Sequence, residues 1–112
     1  MYILFGIKNC DKVKKAMAFL KENQIDYSFH DYKKNGIKEE KLNQWVKQIG
    51  WESLINKQGT TWKMLDKNQQ AQILDAKKAI ALMIEKNSVI KRPLLEKNGQ
   101  IVALGLEEVK TL

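Results

Sequence analysis

The chain has 112 residues, 44% of them hydrophobic and 29% charged, with a formal net charge of +7 and one cysteine. That length predicts a single domain, residues 1–112, with one modest core. One cysteine excludes an internal disulfide, no apolar run approaches the ~20 residues of a membrane span, and no basic-then-apolar leader is visible, so a cytoplasmic protein is expected.

The charge does not single out nucleic acid as a partner. It is spread evenly, +3 over residues 1–56 and +4 over residues 57–112, and Arg92 is the only arginine. A lysine-rich solvated surface explains it. A basic nucleic-acid binder would show salt-sensitive binding and ranks last among the readings.

Tyr2 to Phe5 is a short run of β-formers, ended by Gly6, and predicts a buried strand. From Asp11 the period becomes helical: Val13, Ala16, Met17, Phe19 and Leu20 fall on one face up to about Asn23. Cys10 thus stands at or beside the start of a helix. Unpaired N–H groups and the positive dipole end there favour thiolate over thiol, and the thiolate is the reactive form. Lys8, Lys12 and Lys14 add positive charge. A lone cysteine can also be no more than a small buried apolar residue; its position argues for reactivity.

Ile25 to Tyr32 alternates partly and is aromatic-rich, which predicts a second strand and a right-handed βαβ unit. The sole histidine, His30, lies late in it. With no second histidine or extra cysteine, it reads as structural or surface rather than as a metal ligand. A polar turn follows at residues 33–36. A helix is predicted over about Lys38–Ile49, with Leu42, Trp45, Val46 and Ile49 inward and Gly50 at its end. Trp51–Ile55 suits another helical turn. Asn56 to Trp62 is a polar loop in which Thr60 or Thr61 can cap the next helix. Residues 62–86 read as two or three helices. Trp45, Trp51 and Trp62 read as packing residues.

The chain then returns to β at Ser88-Val89-Ile90 and predicts a hairpin, Leu94–Lys97 and Gln100–Leu104, turned by Asn98-Gly99. Gly105 ends it, and Leu106–Leu112 suits a last helix. Arg92-Pro93 stands just before the hairpin and holds the only arginine and the only proline. A proline here can fix a bend or a cis bond, and the guanidinium offers a planar fork to an anion.

Gly6-Ile7-Lys8-Asn9-Cys10-Asp11, Asp26–Tyr32, Gly59-Thr60-Thr61-Trp62 and Ile90-Lys91-Arg92-Pro93-Leu94-Leu95 together resemble the arsenate reductase-related (ArsC/Spx) family, nearest its small YffB-type subgroup. The resemblance implies an α/β thioredoxin-like fold: βαβ, a helical insert at about 38–86, a β-hairpin and a short C-terminal helix around a mixed four-stranded sheet. It implies that Pro93 is cis and faces Cys10, that Arg92 stands beside the thiol, and that the insert caps one end of the sheet. Cys10 would be the nucleophile and Arg92 its stabiliser or an anion-binding group.

Two departures narrow the reading. Glutaredoxin-linked arsenate reductases of this family use several arginines to hold the oxyanion; here Asn56 and Gly105 fall near two of those positions. One fork is a poor cradle for a tetrahedral dianion, so arsenate reduction is not expected. Spx-type regulators carry Cys-x-x-Cys, whereas Cys10-Asp11-Lys12-Val13 ends in valine. What remains is one-thiol chemistry, a mixed disulfide at Cys10 resolved by glutathione or another external thiol. The glutathione-binding candidates are Lys8, Asn9, Lys12, Asn56, Lys57, Thr60 and Pro93. No bound cofactor or metal is expected. The alternative is a non-enzymatic Spx-like adaptor that binds RNA polymerase or another protein; a glutaredoxin is a further partner the resemblance implies.

Overall fold

The computed structural model describes residues 1–112. The chain divides into two compact units, Met1–Asn35 with Arg92–Leu112, and Gly36–Lys91.

The first unit holds four strands, β1 (Tyr2–Gly6), β2 (Tyr27–Asp31), β3 (Leu94–Lys97) and β4 (Gln100–Leu104), in the order β2-β1-β3-β4. β1 pairs parallel to β2 and antiparallel to β3, and β3 pairs antiparallel to β4. The sheet is therefore mixed and four-stranded, as expected. The β1–β2 crossover is helix α1 (Asp11–Glu22). Val13, Ala16 and Leu20 on α1 are fully buried against Leu4, Leu95, Ala103 and Val109, which puts one core on this face of the sheet. Phe5 with Leu94, and Ile3 with Glu96, are cross-strand pairs on the other face.

The ends of α1 show why the chain turns where it does. Gln24 takes a left-handed conformation (φ 57°). The N–H of Ile25 donates to the Leu20 carbonyl at 2.9 Å, and that of Gln24 to Lys21 at 3.1 Å. This closes a Schellman-type stop. Ile25 is thereby used by the helix end, and β2 starts at Tyr27 rather than at Ile25. Where the sequence predicts a polar turn at 33–36 after a strand ending at Tyr32, residues 32–35 form a helical turn, α2 (Tyr32–Asn35). Its cause is local: the Asp31 carboxylate accepts the Lys33 N–H at 2.9 Å. At the hairpin, Asn98 (φ 51°) and Gly99 (φ 83°) both adopt the left-handed conformations that a two-residue turn needs. The last helix, α8 (Leu106–Val109), is shorter than the expected 106–112.

The second unit is helical: α3 (Glu39–Ile49), α4 (Trp51–Leu54), α5 (Thr60–Lys63), α6 (Lys67–Ala71) and α7 (Ala76–Glu85). α3 and α4 pack on α7, with Leu42, Trp45, Leu54, Ala79 and Met83 fully buried. Gly50 ends α3 at φ 82°. Three short helices occupy the stretch read as two or three. Ser88–Ile90 is not a strand: residues 87–89 form a 3-10 turn, and Ile90 makes a single antiparallel bridge to Ile55. The cap before α5 is also corrected. Gly59, not Thr60 or Thr61, is the N-cap residue, and no side chain caps that helix. Asn56 orders the loop instead, its Oδ1 accepting the Gln58 N–H at 3.1 Å and its carbonyl the Gly59 N–H at 3.2 Å.

Candidate active site

Gly6 closes β1, and four residues later Cys10 is the N-cap residue of α1. The turn is tight: the Cys10 N–H donates to the Ile7 carbonyl at 3.2 Å, and the Cys10 carbonyl accepts from Lys14 at 2.9 Å. Gly6 permits it. A Cβ at Gly6 would lie 2.6 Å from Cγ2 of Val13, so only glycine lets the strand end lie against α1. The Cys10 side chain makes no capping hydrogen bond. It is a free thiol, partly buried against the α1-side core. Lys8, Asn9 and Lys12 flank it and are exposed.

Arg92 and Pro93 reach the same end of the sheet by another route. Phe5 is paired with Leu94, so the residue before Leu94 stands opposite the end of β1. The Arg92–Pro93 peptide is cis, as the resemblance implies. Pro93 is buried, and its carbonyl accepts the Gly105 N–H at 2.7 Å. Arg92 is half-buried. The topology thus gathers Lys8, Asn9, Cys10, Lys12, Arg92 and Pro93 at one sheet end, within one unit.

Asn56, Lys57 and Thr60 belong to the second unit, the first two on the loop ordered by Asn56 and Thr60 at the start of α5. Lys57 is held there with its ammonium 5.5 Å from the centre of the Trp62 ring, a cation–π contact.

Sequence reasoning missed a polar group on the second face of the sheet. Glu96 is 2% exposed and Tyr32 is fully buried. Burial pushes the Tyr32 phenol far above its ordinary range; Arg92 pulls it down and Glu96 pushes it up, so both charges act on this hydroxyl. The rings of Phe5 and His30 lie 4.9 Å apart and complete the group with Tyr32, 6.2 Å from Phe5 and 6.0 Å from His30. The signal was present in β3: alternation puts Glu96 on the face of Leu94, where a carboxylate is out of place without partners. No cluster of three His, Cys, Asp or Glu side chains is placed to hold a metal ion.

A thiol after the first strand and a cis-proline before the third set the comparison with known proteins. The model of the ArsC family matches residues 5–111. The chain belongs to the ArsC family. A YffB protein of known structure is 47% identical, with 94% of this chain and 90% of that one covered and a TM-score of 0.86. An arsenate reductase (ArsC) related protein from Brucella melitensis is 43% identical, with coverages of 89% and 82% and a TM-score of 0.75. The global transcriptional regulator Spx 2 of Bacillus anthracis is 29% identical over 105 residues, 90% of this chain and 79% of that one. The ArsC-family chain thus has a thioredoxin-like α/β fold, and its relatives include both reductase-related and regulatory proteins.

Proposed function

We propose that this ArsC-family protein is a thiol-dependent oxidoreductase that works through Cys10 alone. The observation that supports it most is the pairing of Cys10, at the start of α1 with its sulfur unused in a cap, with Arg92-Pro93 at the same sheet end. The Arg92 guanidinium offers a planar fork to an anionic group brought to the sulfur. Cys10 Sγ⁻ attacks one sulfur of an external disulfide. The Sγ–S bond forms as the old S–S bond breaks, and the second sulfur leaves as a thiolate that takes a proton from water. A second external thiol, glutathione or its equivalent, then attacks the mixed disulfide and releases Cys10. The carboxylates of glutathione suit Arg92, Lys8 and Lys12. Arsenate is the weaker substrate reading, because the chain offers one guanidinium where a dianion needs several donors.

The test is oxidised glutathione added to the protein, followed by mass spectrometry and by the rate of Cys10 alkylation at neutral pH. The expected result is a mixed disulfide at Cys10, reversed by reduced glutathione. Arg92→Ala should slow formation of the mixed disulfide by about tenfold, through loss of its fork to the glutathione carboxylates, and Arg92→Lys should restore part of the rate. A Cys10 that forms no mixed disulfide and is indifferent to Arg92 would overturn the reading. The second reading, a regulatory adaptor that binds RNA polymerase or another protein, draws on the likeness to Spx 2 and would then stand first.

A further inference from the structure

The second unit carries an apolar groove that the thiol chemistry does not use. It runs between α6 and α7 and encloses about 340 Å³, the lower end of the size range of ligand-binding clefts. Leu65, Ile73, Ala81 and Leu82 supply its apolar lining. A second hollow shares Leu65, Gln69 and Lys86 with it and continues to Met64. Beside this path Met64 is 81% and Leu74 76% exposed, the two most exposed large hydrophobics of the chain.

These side chains do not project from loose chain. Asp66 and Gln69 form a reciprocal capping box on α6, with bonds of 2.8 and 3.0 Å. Gln70 donates to the carbonyls of Trp62 and Leu65. Asp75 caps α7 through the Lys78 N–H at 2.9 Å. Both walls are fixed before anything binds, which lowers the ordering cost of association.

Charge selects the occupant. Lys78 and Lys86 line the groove against one carboxylate, Glu85. The unit as a whole has ten lysines against six acidic residues. A second copy related by a twofold axis would bring the same net-positive patch against itself, and like net charges so placed disfavour pairing. A segment with an apolar ridge and acidic flanks satisfies both the floor and the rim. We propose that the α6–α7 groove is a docking site for an acidic amphipathic helix of a partner protein. The site lies wholly in the second unit and stands or falls independently of Cys10.

The probe is a fluorescein-labelled synthetic helical peptide with leucines on one face and glutamates on the other. Its control has lysines in place of the glutamates. Fluorescence anisotropy against the full chain at about 0.15 M salt should show saturable binding of the acidic peptide and none of the control. Lys78→Glu with Lys86→Glu should weaken binding by more than tenfold, and Met64→Ser by about fivefold, values typical of charge and apolar anchors at an interface. Met64 is exposed, and a glutamate at residue 78 falls in the first turn of α7, where the dipole favours it, so circular dichroism should show both variants folded. Absence of saturable binding, equal binding of the two peptides, or indifference to the variants overturns the proposal. So does a dimer at the same concentrations that Met64→Ser dissolves, which makes a second copy the occupant. Co-sedimentation with phosphatidylglycerol vesicles that Met64→Ser abolishes overturns it in favour of a lipid surface.

Discussion

The two units achieve order by different means. In the first, strands distant in sequence must meet: Tyr2 pairs with Lys97, and Phe5 with Leu94. The helix carrying the thiol starts without any side-chain cap. In the second, short helices follow one another, and α6 and α7 are fixed by Asp66 and Asp75, each one residue before its helix. The candidate site lies where long-range pairing dictates geometry, and the uncapped helix start leaves the sulfur out of any capping bond. In the second unit only α6 and α7 start on a side-chain cap; α3, α4 and α5 start without one, and α3 and α4 are held by packing on α7.

The sharpest way to break that comparison is at Gly6. Alanine there must push Val13, a stiff β-branched residue in the core, and such overpacking costs about 1–3 kcal/mol. Urea denaturation should show the loss, and the mixed disulfide at Cys10 should form more slowly because the loop no longer sits on α1. An unchanged midpoint would mean that the strand end has slack the close contact does not suggest.

A smaller effect comes from Tyr32. The folded chain keeps this phenol protonated well above the usual value of about 10. Above roughly pH 10 the unfolded chain releases a proton that the folded one retains, so stability falls as pH rises. The slope approaches ~1.4 kcal/mol per pH unit from this residue, and stability at neutral pH keeps the full benefit. Tyr32→Phe should flatten the alkaline slope of urea-derived stability; a slope unaltered by the substitution would disprove the role of burial here.

The mildest change is Asp75→Ala, which removes the α7 cap and should cost about 1 kcal/mol. Hydrogen exchange should quicken in α7, while Cys10 alkylation keeps its rate. A fall in thiol reactivity would show that the units are not as separately ordered as their construction implies.

Much of the first unit was legible in the sequence because its signals are local and redundant. Tyr2–Phe5, the 3.6-residue stripe of α1 and the Asn98-Gly99 turn each specify their own conformation. Cys10, Arg92 and Pro93 were legible as a group only through family resemblance, since no periodicity says that residues 10 and 92 share a sheet end. Three features were hidden for physical reasons. Ile25 has a strand former's chemistry, but its N–H finishes the α1 stop. Thr60 and Thr61 have capping hydroxyls, but the loop is already ordered by Asn56. Glu96 looks like an ordinary surface residue, and Tyr32 like the end of a strand, until the sheet and the α2 turn are assembled and both are buried, with Arg92 and Glu96 acting on the Tyr32 phenol.

The hairpin tip offers a practical handle. Lys97 pairs with Tyr2, so Asn98-Gly99 protrudes from the edge of the sheet remote from Gly6, roughly 13 Å along β1 at the usual strand rise. Nothing lies within 4 Å of a Cβ built at Gly99. A fluorophore or affinity tag grafted at this tip would report on tumbling, capture or localisation while leaving the sulfur's approach unobstructed. A fusion at the opposite edge would crowd the reagent it was meant to follow.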